Sequence, residues 1–212
     1  MGNNFSKIIA LIVSMSGVIV MIGWIFNIPA LTSILPQFVT MKFTTAVCFV
    51  LSGIVLYLTA INVQNNNDIA QLMSSFLSFV ILLIMASLLV SVFLGIKTGM
   101  EDLFVRESPG AVKTVVPGRP ALITMVNFLL IASVGLLSLF DKKNLLKVVN
   151  IFGLVTAFFG ILAIIGYIAD MPKLYGHFNN VSTAMALHTA ILFVFLGIGF
   201  FIIRGNKKSV VV

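Results

Sequence analysis

The sequence predicts an all-α integral membrane protein, with six transmembrane helices folded as three repeated helical hairpins. Three observations carry that prediction. Hydrophobic residues make up 60% of the 212 residues and charged residues 9%, whereas soluble domains average about 45–50% and about 25%. So few charges could not cover the surface of a soluble domain of this length. Apolar runs of about 20 residues, enough to cross a hydrocarbon core of about 30 Å, recur along the whole chain. One residue pattern recurs with them.

The pattern is clearest in the last third. A helix ends in Gly166-Tyr167-Ile168-Ala169-Asp170-Met171-Pro172, and after a polar stretch the next opens Met185-Ala186-Leu187-His188-Thr189-Ala190 and runs to Gly197. The first third reads Gly23-Trp24-Ile25-Phe26-Asn27-Ile28-Pro29, then Met41-Lys42-Phe43-Thr44-Thr45-Ala46. The middle is looser, with Gly95, Thr124, Phe128 and Ala132. The hairpins fall at about 8–61, 72–140 and 148–203 of a single membrane domain, 1–212, with 204–212 as a short cytoplasmic tail.

Taken in order, the spans are 8–26, 43–61, 72–96, 122–140, 148–168 and 184–203. The first competes with a signal peptide, but it is long, lacks an A-x-A site and ends as the fifth does, so it is expected to be retained. Pro29 and Pro172 lack an amide hydrogen and clash inside a helix, which predicts that they end the first and fifth spans. Trp24 and Tyr167 follow the repeat glycines and belong at the membrane–water interface.

Helix packing follows from spacing. Thr45, Phe49 and Gly53 lie four apart, as do Thr124, Phe128 and Ala132, and Thr189, Phe193 and Gly197. Such residues share one helix face. Lipid gives helices no hydrophobic drive to associate, so small and polar residues on one face are the natural packing surface. Ser87, Ser91 and Gly95 repeat the signal on the third span, and Gly153 and Ala157 on the fifth.

The net charge of +7 is spread over the gaps between spans. That distribution excludes nucleic acid and leaves membrane lipid as the expected partner. Lys7, Lys142, Lys143, Lys147, Arg204, Lys207 and Lys208 share a side with the termini. The opposite side, with the long third loop set aside, has only Lys42 and Lys173. The bias predicts a multi-pass protein of the cell membrane with both termini in the cytoplasm.

No charged side chain lies mid-span, which argues against a proton relay. Asn127, within the fourth span, is expected to bond across helices. Cys48 is the only cysteine, so no intrachain disulfide forms. His177 and His188 lack metal-ligand spacing, so neither a metal site nor a cofactor is predicted, although an imidazole at His188 could sense pH. No nucleophile elbow or phosphate-cradling loop occurs, and catalysis has no support.

Polar residues concentrate instead in the outer connections. Glu101, Asp102, Arg106, Glu107 and Arg119 come from the third loop, the longest, where Pro109-Gly110 and Pro117-Gly118-Arg119-Pro120 signal turns. Asp170, Lys173, Tyr175 and His177 come from the last loop, and His188 from the start of the sixth span. Hairpins packed round a pseudo-threefold axis would bring these together as a ligand-facing layer. A layer of mutually neutralising charges is the competing reading, and a solvated tether competes for 108–114.

Three stretches resemble a known family: Met-Lys-Phe-Thr-Thr-Ala-Val-Cys-Phe at 41–49, Leu103-Phe104-Val105 with Pro117-Gly118-Arg119-Pro120, and Met185 to Ala190. They look like the N-terminal multi-helix membrane sensor region of bacterial and archaeal histidine kinases and diguanylate cyclases. The resemblance implies a sensory role with a cytoplasmic output domain after the last helix. Residues 204–212 carry no phosphoacceptor histidine or nucleotide-binding motif, so the expectation is a non-enzymatic module acting through a separate signalling partner or as a homo-oligomer. A small transporter or channel for a neutral solute, or a structural subunit of a membrane complex, is the alternative.

Overall fold

Asparagine and glycine chemistry sets the helix ends. The computed structural model describes residues 2–139, 145–176 and 182–205. It contains α1 (Gly2–Ile25), α2 (Pro29–Thr32), α3 (Phe43–Asn65), α4 (Asp68–Leu94), α5 (Leu122–Leu137), α6 (Leu145–Ile168) and α7 (Leu187–Phe201). A 3-10 turn covers Pro172–Tyr175. Between α3 and α4, Asn66 takes the left-handed conformation at φ 50°, and Asn67 accepts a hydrogen bond from the Ala70 amide at 2.8 Å. Both are roles in which asparagine is favoured.

Two sequence expectations are corrected here. Pro29 and Pro172 do not end spans. Each opens the short helix that follows, at a first position where the missing amide costs nothing. The chain turns just before them, at Asn27 (φ 53°) and Asp170 (φ 50°). Gly95 is not a packing residue either: it caps α4 at φ 65°, and a Cβ there would meet no atom within 4 Å.

Four helices, α1, α3, α4 and α6, are long and apolar enough to cross a membrane. Helices α5 and α7 are equally apolar but have 16 and 15 residues, roughly 24 and 22 Å at 1.5 Å per residue. Burial differs among the long helices. More than half of α3 is buried within the protein, against a third of each of α1, α4 and α6. Helix α3 packs against both α5 and α7, forming an inner group. The outer helices pair with the inner ones as α1 with α3, α4 with α5 and α6 with α7.

The first and third pairs touch in the same way. A Cβ on Gly17 of α1 would lie 2.7 Å from the Ala46 carbonyl oxygen, and one on Gly160 of α6 would lie 2.7 Å from that of Ala190. Glycine therefore lets each outer helix lie directly on the backbone of its partner. At the centre the rings of Phe49, Phe128 and Phe193 meet, each pair of centroids 4.9 Å apart. Thr45, Thr124 and Thr189 are buried one turn away.

The polar residues do not all find partners. Asn127, expected to bond across helices, is fully buried with neither amide atom hydrogen-bonded among the described residues. The start of α1 and the residues just after α7 meet at one end of the bundle. The Asn3 side chain donates to the Arg204 carbonyl at 3.0 Å and accepts from the Arg204 amide at 2.8 Å.

Candidate functional site

The opposite end is built by three connections that close over α3, α5 and α7. In the first, the Trp24 indole donates to the Met41 carbonyl at 2.7 Å, and the Met41 amide to the Thr32 carbonyl at 2.9 Å. In the third, the Tyr167 hydroxyl donates to the Met185 carbonyl at 2.7 Å, and the Met185 amide to the Tyr175 carbonyl at 2.8 Å. An aromatic head at the end of an outer helix thus anchors the extended residues that lead into each inner helix. Trp24 and Tyr167 are anchors of backbone as well as amphipathic rings.

The middle connection, 95–121, is folded down between these two by three polar knots. In the first, the Lys42 ammonium lies 2.5 Å from Glu107 Oε1, with both residues about 95% or more buried. The same ammonium donates to the Thr114 hydroxyl at 2.9 Å. Glu107 also accepts from the Thr40 hydroxyl at 2.9 Å and, through Oε2, from the Gly118 amide at 2.7 Å. Burial pushes the Lys42 ammonium below its ordinary pKa, and the attraction of Glu107 opposes this only in part.

In the second knot, Arg119 Nη2 lies 3.0 Å from Glu101 Oε1 and donates to the Ile96 carbonyl at 2.8 Å. Ser91, at the end of α4, donates to the same carboxylate, and Thr98 adds its amide at 3.2 Å. Burial alone would raise the Glu101 pKa. The hydrogen bonds from Ser91, its own backbone amide and Arg119 outweigh burial and hold the group below its ordinary value. In the third knot the Lys113 ammonium donates to the Tyr175 hydroxyl at 2.5 Å, and the Lys113 carbonyl accepts from the Ala184 amide at 3.1 Å. Residues 108–114 are therefore no simple solvated tether, because Lys113 and Thr114 are tied to the third and first connections respectively.

Clefts lie beside this loop, two of them of substantial volume among the described residues. One, about 430 Å³, is lined by Trp24, Asn27, Thr32, Thr40 and Glu107 with residues 108–111. The other, about 260 Å³, is lined by Gln37, Phe38, Val39, Lys113, Tyr167, Asp170 and Tyr175. In the smaller cleft Tyr167 and Tyr175 stack at 4.2 Å, and Phe38 lies 5.2 Å from Tyr167. The Lys113 ammonium is 5.1 Å from the centre of the Tyr175 ring.

Among the predicted site residues, Glu101 is joined to Arg119, Glu107 to Lys42, and Tyr175 to Lys113. Asp102 forms a longer, more exposed pair with Lys97 at 3.7 Å. Arg106 and Lys173 are exposed. His188 lies in the first turn of α7, half-buried, with both ring nitrogens lacking hydrogen-bond partners among the described residues. His177 lies outside the described residues. Among the described residues no three His, Cys, Asp or Glu side chains gather closely enough to hold a metal ion. Lys42, Lys113 and Tyr167 were not singled out from sequence as site residues; their only signal was a polar or amphipathic group beside a repeat motif. Compared with known proteins, the chain matches no family model, no curated protein and no solved structure.

Proposed function

We propose that the protein is a non-enzymatic sensory or accessory module of the cell membrane. Six transmembrane helices, in three repeated hairpins, carry both termini on the cytoplasmic side. The outer layer receives a stimulus and passes it to a separate partner by helix rearrangement. One observation supports this reading above the others. The loop between α4 and α5 is bonded to the start of α3 through Lys42–Glu107 and to the last connection through Lys113–Tyr175. Displacing one short segment therefore pulls on two hairpins at once. A ligand shifts such an arrangement only by as much as its affinities for two states differ.

The mutual contact of Phe49, Phe128 and Phe193 speaks against a solute pathway along the axis, and so ranks the sensory reading above a small transporter. The test is purification from the native membrane in mild detergent, followed by identification of whatever accompanies the protein. A co-purifying kinase, cyclase or transducer is the expected result. A stoichiometric complex with metabolic enzyme subunits overturns the reading in favour of a structural subunit. Solute flux by the protein alone in liposomes would overturn it in favour of transport.

A further inference from the structure

We propose that the smaller outer cleft binds a free amino acid, held through its carboxylate by Lys113 and through its ammonium group by Asp170. The proposal rests on the outer layer being the receiving surface, and it names the ligand class.

Charge is the first argument. In the larger cleft the one charged lining residue, Glu107, already has both oxygens engaged by Lys42, Thr40 and Gly118. That cleft offers no free charge. In the smaller cleft the Lys113 ammonium donates one proton to Tyr175 and keeps two. The Asp170 carboxylate has no hydrogen bond or ion pair among the described residues. One free cation and one free anion in a single cleft match a molecule carrying both charges. A simple anion or a simple amine would leave one of them facing a like charge.

Size is the second argument. A volume of about 260 Å³ is below the range of about 300–1,000 Å³ found for pockets that take drug-sized ligands. It suits a molecule of amino-acid dimensions. The walls supply the third argument. Tyr167, stacked on Tyr175, and Phe38 beside it give an apolar surface for a side chain. One face of Tyr175 is covered by Tyr167 and the Lys113 ammonium sits at the ring's hydroxyl edge, so the ligand's ammonium group is directed to Asp170 instead. Asp170 is the structural counterpart of Asn27 at the larger cleft, each at the left-handed turn that ends an outer helix. The change from amide to carboxylate there is what separates the two clefts chemically.

The experiment uses the full chain in lipid nanodiscs. Each of the common amino acids is added at up to about 10 mM, above the weak end of ordinary affinities near 1 mM, and thermal unfolding is followed. The expected result is a raised midpoint with one or a few amino acids, lost with their N-acetyl derivatives and their amides. Lys113→Gln keeps a donor for Tyr175 but removes the charge. Asp170→Asn suits the left-handed backbone. Each is expected to weaken binding about tenfold or more without moving the unliganded midpoint appreciably. A residual affinity for the amide should be the same in Lys113→Gln as in the wild type. Absence of any response to all the amino acids, or unchanged binding in both variants, overturns the proposal. Binding is read on the isolated protein, so the two readings fail separately. A transducer that co-purifies with a protein blind to amino acids overturns the zwitterion site alone, and an amino-acid-binding protein found only with metabolic enzymes overturns the sensory role alone.

Discussion

The Lys42–Glu107 pair is deeply buried on both sides, and its energetics are asymmetric. Breaking a buried pair by removing one partner leaves the other uncompensated, at about 3–5 kcal/mol. Lys42→Met is therefore expected to lower stability by about that amount, and Lys42→Met with Glu107→Leu by less than the single change alone. Unfolding midpoints in detergent check both. Glu101 gives a pH test. Its carboxyl is held below its ordinary value in the folded protein, so it adds stability above the unfolded value of about 4.3, lost as pH falls through the folded value. The wild type should lose stability on acidification below that range. Glu101→Gln should start less stable at neutral pH and lose less on acidification. Glu101, Glu107, Arg119 and Tyr175 were legible as candidates because polar residues are conspicuous in so apolar a chain. Lys42 and Lys113 were not, because their partners lie 65 and 62 residues away and nothing local announces the pairing.

Helix against helix, the contacts are set by residues without side chains. A Cβ on Gly197 of α7 would come within 2.5 Å of both the Ala157 nitrogen and the Gly153 oxygen of α6. Backbone cannot move aside as a flexible side chain can, so Gly197→Val is expected to cost about 1–3 kcal/mol or more by prising α6 from α7. Gly95→Asn is the contrasting case. Its Cβ meets nothing within 4 Å, and asparagine tolerates φ 65°, so stability should stay within about 0.5 kcal/mol. Thermal unfolding of the two variants side by side decides the point. The periodic placing of Gly53 and Gly197 made these faces readable in advance. Helix ends were harder. Proline was a visible breaker, yet Asn27 and Asp170 make the turns, because a single left-handed residue leaves no periodic trace. The shortness of α5 and α7 was also hidden. Composition reports that a stretch is apolar, not where its helix starts and stops: α5 begins at the expected Leu122 but ends at Leu137, and α7 begins only at Leu187, after extended backbone at Ala186.

Taken whole, the molecule has two unlike ends. One holds the start of α1 and the residues just after α7, joined through Asn3 and Arg204, and the other holds the three connections and their charges. If α5 and α7 cross the bilayer with the four longer helices, these ends face opposite sides. In a Cys48→Ala background, Val112→Cys and Arg204→Cys place single exposed thiols at the two ends. Labelling of intact cells with an impermeant maleimide should reach the first and not the second. Labelling of both, or of neither, would contradict the six-span arrangement.

The Asn3–Arg204 contact also bears on how the chain could be rewired. Asn3, at the start of α1, and Arg204, just after α7, lie at hydrogen-bonding distance. A short peptide linking them and a cut between Asn66 and Asn67 would give a circular permutant. It would start with α4, finish with α3, and keep every pairing of inner with outer helix. The order in which the hairpins leave the ribosome would then change while the finished architecture would not, so folding order and final packing could be varied independently in this protein.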